Sequence, residues 1–210
     1  MLLFWPCLWG LALAFHQTGE FRLFINYIIL FFLGSVLMRS AGCIFNDIAD
    51  KDFDKKVNRT KNRPISSGRI STQESFVYII LLCLVAFIIL IQFNFLTIIL
   101  GLLSIPFVFS YPYMKRLTYW PQFFLGLTFN WGIFLGWTAL KGEISLEPIL
   151  LYIAAIFWTL GYDTIYGFQD IYDDEIIGVK STSIKFKENI KFFVSTSYLL
   201  TSLILIYLFK

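Results

Sequence analysis

Histidine is nearly missing from this chain: His16 stands alone in 210 residues. A histidine-based metal site and a Ser-His-Asp triad are excluded on that ground. Cysteine is almost as sparse. Cys7, Cys43 and Cys83 are scattered through apolar stretches with no pair at metal-ligand spacing, and they read as soft packing residues. Charge is the third shortage, since Asp, Glu, Lys and Arg make up only 15% of the chain where a soluble domain carries about a quarter. The net charge of +3 is small, and no nucleic-acid partner is expected. Polar linkers, low-complexity tracts and short repeats are also lacking. A single domain over residues 1–210 is the simplest organisation.

Apolar runs are what the chain has in abundance. Hydrophobic residues reach 58% and aromatic ones 20%, and windows of about 17–25 apolar residues, the length that crosses a bilayer, recur along the sequence. The predicted fold is an all-α, polytopic transmembrane bundle of about seven spans. The first is the short run "LLFWPCLWGLALAF" from Leu2 to Phe15. It lacks the basic start of a secretory signal and is read as a transmembrane helix whose beginning is missing. The others are expected near Leu23–Phe45, Phe76–Gln92, Phe95–Tyr113, Pro121–Leu140, Leu146–Phe168 and Phe192–Phe209.

The loops between these spans alternate in charge. Lys51, Lys55, Lys56, Arg59, Lys61, Arg63 and Arg69 fall in the loop between spans 2 and 3, Lys115 and Arg116 between spans 4 and 5, and Lys180, Lys185, Lys187 and Lys191 between spans 6 and 7. The opposite loops hold only Arg22 and Lys141. Excess Lys and Arg marks the cytoplasmic side of a membrane, or the matrix side in a mitochondrion. Both plasma membrane and mitochondrial inner membrane fit.

Two acidic segments lie on that basic side. In "NDIADKDFDKKVNRTKNRP", Asn46 to Pro64, the residues Asn46, Asp50 and Asp54 recur every fourth position and share one helical face if span 2 continues past the interface. In "GYDTIYGFQDIYDDEIIGVKST", Gly161 to Thr182, the residues Asp163, Asp170 and Asp174 again form one stripe. Crowded carboxylates repel, and ionisable groups at membrane depth are functional by default. Hard oxygen ligands suit Mg²⁺, which binds through one or two carboxylates and fills its shell with phosphate oxygens and water. Two such clusters facing each other could hold Mg²⁺ and a diphosphate. A cation pathway would use similar residues. Arg39, inside span 2, needs an anionic partner, and the motif aspartates are the nearest candidates in sequence.

The wording of these segments carries a resemblance. "RSAGCIFNDIADKDFDKKVNRTKNRPISSG" resembles the first signature of the UbiA-type intramembrane prenyltransferases, N-D-x-x-D-x-x-x-D, and the segment around Asp170 and Asp174 is similar to their second. "YPYMKRLTYWPQ", Tyr111 to Gln122, and "LLFWPCLWGLALA" match in the expected order. Within the superfamily the wording is most similar to the 4-hydroxybenzoate polyprenyltransferases of ubiquinone synthesis. The family typically has nine helices, so the resemblance implies a partial first helix and missing C-terminal helices.

The resemblance implies metal ligation by Asn46, Asp50, Asp54, Asp170 and Asp174 with Mg²⁺ as cofactor. It implies diphosphate contacts from Arg39, Tyr111, Lys115 and Tyr166, and an acceptor-carboxylate contact from Arg116. Asp47 and Asp163 are candidates for moving a proton. Polyprenyl diphosphate and 4-hydroxybenzoate are the implied substrates, with the bilayer as the third partner. A naphthoate, homogentisate, tetrapyrrole or lipid head group would be the alternative acceptor. An inactive remnant or a cation transporter would be the non-enzymatic reading. The many phenylalanines, among them Phe24, Phe32, Phe107, Phe123 and Phe129, would line a prenyl tunnel or simply face lipid and pack helices.

Overall fold

The computed structural model describes residues 2–55 and 60–210, together with all their side chains except those of Asp170, Asp173 and Ile177. Lys56 and Arg59 of the basic loop lie outside the described residues, as does the side chain of the expected ligand Asp170. Among the described residues the architecture is wholly helical. The elements run α1 (Phe4–Thr18), α2 (Phe21–Ala49), α3 (Lys51–Asp54), α4 (Thr72–Leu90), α5 (Phe95–Leu103) and α6 (Ile105–Leu117). They continue with α7 (Pro121–Asn130), α8 (Gly132–Lys141), α9 (Leu146–Gly167), α10 (Ile171–Ile177), α11 (Thr182–Lys185) and α12 (Ile190–Leu208).

Among the described residues, 6 helical stretches are long and apolar enough to cross a membrane: α2, α4, α5–α6, α7–α8, α9 and the stretch Lys187–Leu208. They match the expected spans from the second onward. The expected first span is α1, a helix of 15 residues that falls below the crossing length. Lipid-facing positions carry apolar side chains: Ile80, Ile88 and Leu84 on α4 are all more than half exposed.

Two spans are broken near their middle. The α5–α6 break falls at Ser104, just before Pro106, which sits in the first turn of α6 and has no N–H to continue α5. Carbonyls freed in a membrane need donors. Ser104 Oγ donates to Gly101 O at 2.6 Å, and the indole Nε1 of Trp131 donates to Leu100 O at 2.9 Å. Trp131 is also the break between α7 and α8, so one side chain joins both interruptions.

The tightest seam is α1 against α8. A Cβ placed on Gly10 would sit 2.0 Å from Ile133 O, and one on Gly136 would sit 2.0 Å from Cys7 O. Backbones this close admit only glycine, the small-residue packing that membranes favour because lipid offers no hydrophobic drive between helices. Leu11, Ile133 and Trp137 are fully buried along this seam. Elsewhere α12 packs on α9, with Thr201 Oγ1 donating to Ala154 O at 3.2 Å, and α4 packs on α2.

The length of α2 positions the site. Its 29 residues rise about 43 Å at 1.5 Å each, more than a hydrocarbon core of about 30 Å. Its last turn, with Asn46 and Asp47, therefore emerges at an interface. Gly136→Val should weaken the α1–α8 seam by about 3 kcal/mol or more, seen as a lower melting temperature in detergent. Gly34→Ala, whose added methyl would meet nothing nearer than 4.0 Å, should leave it unchanged and serves as control.

Candidate active site

Helical hydrogen bonding runs past the end of α2 into α3. Asp50 N donates to Asn46 O at 2.9 Å, and Asp54 N donates to Asp50 O at 2.8 Å. Asn46, Asp50 and Asp54 therefore keep their four-residue repeat on one face, as the spacing predicts.

Asp50 is the hub. It is 5% exposed, and its two oxygens hold two cations from α6: Lys115 Nζ donates to Oδ2 at 2.5 Å and Arg116 Nη2 donates to Oδ1 at 3.2 Å. Arg116 Nη2 also donates to Ala49 O at 2.7 Å, and its guanidinium lies 4.7 Å over the Phe53 ring. The end of α6 is thus tied to the end of α2 by charge, a carbonyl and an aromatic face. Among the described residues nothing accepts from the buried Arg116 Nε.

A second ion pair sits beside the first. Arg63 Nη1 donates to Asp47 Oδ1 at 2.8 Å and to Asp54 Oδ2 at 3.0 Å. Buried Thr60 donates its hydroxyl to Asp54 O at 3.1 Å, and Arg63 N donates to Thr60 O at 2.9 Å, which holds the arginine's turn under α3. The sequence offers no sign of this role. Arg63 lies outside any helical repeat, and its charge is explained equally well by membrane topology.

Deeper in the bundle, Tyr111 on α6 lies within electrostatic reach of Asp163 on α9, Arg39 on α2 and Asp50. The ion pairs of Asp47, Asp50 and Asp54 are made by Arg63, Lys115 and Arg116 rather than by Arg39. Arg39 does share the face of α2 that bears Asn46 and Asp50, being 7 and 11 residues away along the helix. Tyr166 stands apart: it is 61% exposed, and among the described residues no hydrogen bond or ring contact ties it to this cluster.

The second acidic segment follows α9 through a 3-10 turn, Phe168–Asp170, into α10. Asp174 is half-buried, and its carbonyl accepts from Gly178 N and Val179 N at 3.0 Å each. Just beyond, Lys180 N donates to Lys115 O at 2.8 Å. That backbone bond brings the second segment to the helix that carries the basic pair.

Hard oxygen donors are present at the end of α2 and in α3. Asp47 and Asp54 offer hard oxygens that converge within 3.0 Å of a single cationic nitrogen, so two carboxylates already share one positive charge. No group of three or more acidic, histidine or cysteine side chains gathers tightly enough among the described residues to enclose an ion alone. A cation that binds through one or two carboxylates and takes its other ligands from phosphate and water is suited to such a set.

An apolar cavity of about 200 Å³ lies among α1, α2, α4 and the two broken spans, lined by Phe31, Met38, Phe87, Phe109, Phe129 and Trp131 among others. Of the phenylalanines singled out in the sequence, Phe129 lines it. Phe24 instead stacks on Phe15, Phe32 meets Phe4 edge-on, and Phe123 is partly exposed.

Residues 3–210 match the UbiA prenyltransferase family. The chain belongs to that family. UbiA relatives include the protein named 4-hydroxybenzoate polyprenyltransferase, mitochondrial, of Arabidopsis thaliana, 49% identical over 195 residues, which are 92% of this chain and 47% of that protein. The human protein of the same name is 49% identical over 191 residues, 90% of this chain and 51% of its own. The chain spans about half the length of the curated relatives it matches. Among solved structures, the apo UbiA homologue of Aeropyrum pernix K1 aligns with a TM-score of 0.78 at 25% identity, over 97% of this chain and 76% of that one. A digeranylgeranylglyceryl phosphate synthase aligns at 0.70 with 18% identity, over 96% and 70%, and shares the UbiA fold.

Arg116→Ala removes the tie between α6 and α2 and leaves buried Asp50 with one cation fewer. It should cost about 1.5–3 kcal/mol, because Lys115 still compensates Asp50, read as increased proteolysis of the loop after α3 and a lower melting temperature. Arg116→Lys should recover only part of this, because an ammonium cannot reach Ala49 O and Asp50 together while covering Phe53. Unchanged proteolysis in Arg116→Ala would remove the tie from the account.

Proposed function

We propose that this chain carries the active-site portion of an integral-membrane, Mg²⁺-dependent aromatic prenyltransferase. It transfers a polyprenyl group from polyprenyl diphosphate to the ring carbon ortho to the hydroxyl of 4-hydroxybenzoate, a step of ubiquinone biosynthesis. One observation carries this reading: Lys115, Arg116 and Arg63 are interleaved with Asp47, Asp50 and Asp54 where α2 leaves the apolar bundle. The identity to relatives named for this activity supports the choice of substrates.

Opposite charges arranged in alternation suit a ligand that is itself anionic and metal-bound. Asp50 and Asp54, with Asn46, Asp170 and Asp174, would ligate Mg²⁺, which when bound neutralises charge on the diphosphate. Lys115, Arg39, Tyr111 and Tyr166 are the groups assigned to the diphosphate oxygens. As the C1–O bond breaks, the electron pair leaves with the diphosphate, and fixed donors stabilise that charge best in a site that excludes water. Arg116 is assigned to the acceptor carboxylate, beside the Asp50 that it already contacts. The ring carbon ortho to the phenol then forms the new bond to C1, and loss of the ring proton restores aromaticity. Asp163 or Asp47 would receive that proton. The apolar cavity would receive the hydrocarbon tail farther from the diphosphate. The distribution of Lys and Arg supports placing both acidic segments on the cytoplasmic or matrix side.

The test is product formation by membranes containing this chain, supplied with 4-hydroxybenzoate, a polyprenyl diphosphate and Mg²⁺ and read by mass spectrometry. Asp50→Asn should lower the rate about 100-fold or more, and EDTA should abolish it. Product formed equally by Asp50→Asn would overturn the proposal. Ion flux without any need for an allylic diphosphate would point to transport instead.

A further inference from the structure

We infer that Gln122, Thr164, Thr182 and Ser183 form a buried clamp that positions the second acidic segment opposite the first; this rests on the proposed function. The segment 168–181, which carries Asp170 and Asp174, leaves the bundle at Gly167 and returns at Thr182. Its two ends meet in a polar knot with almost no solvent. Thr164, Thr182 and Ser183 are 0% exposed and Gln122 is 6% exposed.

Every bond in the knot crosses between elements. Thr182 N donates to Gln122 Oε1 on α7 at 3.0 Å. The hydroxyls of Thr164, on α9, and Thr182 share a hydrogen bond of 2.6 Å. Ser183 Oγ donates to Thr164 O at 2.8 Å. The exit is equally tight, since a Cβ on Gly167 would lie 2.7 Å from Ser183 Oγ. On the other side Lys180 N donates to Lys115 O, so the returning strand is also fixed to the helix whose side chains hold Asp50.

Polar groups this deep are costly unless each has a partner, and apolar residues would fill the same space more simply. What the knot supplies is geometry. Closing the ends of the segment restricts where its carboxylates can travel, and a preorganised site loses less order on binding. The four residues touch no reacting atom in this account. They are positioning residues, acting through Asp170 and Asp174.

The test compares the wild type with Thr182→Val, Thr182→Ser and the double variant Thr164→Val with Thr182→Val, all in lipid nanodiscs. The double variant removes both hydroxyls, so no orphaned donor is left to weaken the fold. Amide hydrogen exchange of residues 168–181 should rise about tenfold in the two valine variants, exchange in α2 and α9 should stay unchanged, and Thr182→Ser should match wild type. Affinity for Mn²⁺ with pyrophosphate, read by electron paramagnetic resonance, should fall about tenfold in the same two variants. Unaltered exchange in the double variant overturns the clamp. Raised exchange with unaltered Mn²⁺–pyrophosphate affinity overturns its positioning role. A wild type that retains no Mn²⁺ with pyrophosphate overturns the proposed function, and the inference with it.

Discussion

A carboxylate at 5% exposure is tolerated only where cations meet it, and Asp50 is met by two from one helix. That constraint fixes much else. Lys115 and Arg116 are adjacent in sequence, so for both to reach one carboxylate the end of α6 must lie against the end of α2. The same helix end accepts the backbone bond from Lys180, which draws in the segment after α9. Spans 2, 4 and 6 of the expected order thus converge on one group. A hydrophobic bundle has little to specify a unique arrangement of helix ends, because lipid solvates apolar faces as well as protein does. Charge pairing at the interface supplies that specification here.

The apolar portion obeys a different rule. The α1–α8 seam depends on the absence of side chains at Gly10 and Gly136, and the two broken spans are joined by Trp131 Nε1 donating to Leu100 O. The apolar cavity lies among these broken spans, deeper in the bundle than the charged cluster. A ligand with an anionic head and a hydrocarbon tail would find a charged end and an apolar interior in one continuous bundle.

Much of this was legible in the chain. Long apolar windows located the spans, and the repeat of Asn46, Asp50 and Asp54 placed them on one face because helical bonding continues through Asp50. The breaks at Ser104 and Trp131 were not legible, since a single Pro106 hints at one and the partner of the other, Leu100 O, lies in a different span. The ion pairs were legible only in part. Proximity in sequence favoured Arg39 as partner of the aspartates, whereas the chain's return through the loop after α3 brings Arg63, and α6 brings Lys115 and Arg116. Gln122 gave no signal, because a lone glutamine after a proline becomes informative only when Thr182 is folded against it.

The central claim is that the interleaved charges form one site for a metal-bound diphosphate. Calorimetric titration of the chain in nanodiscs with pyrophosphate, at several Mg²⁺ concentrations, tests it most directly. The account predicts that Mg²⁺ tightens pyrophosphate binding and that pyrophosphate tightens Mg²⁺ binding by the same factor, as linkage requires. It also predicts that Asp50→Asn removes the coupling. Pyrophosphate bound equally well in EDTA, or coupling intact in Asp50→Asn, would contradict it.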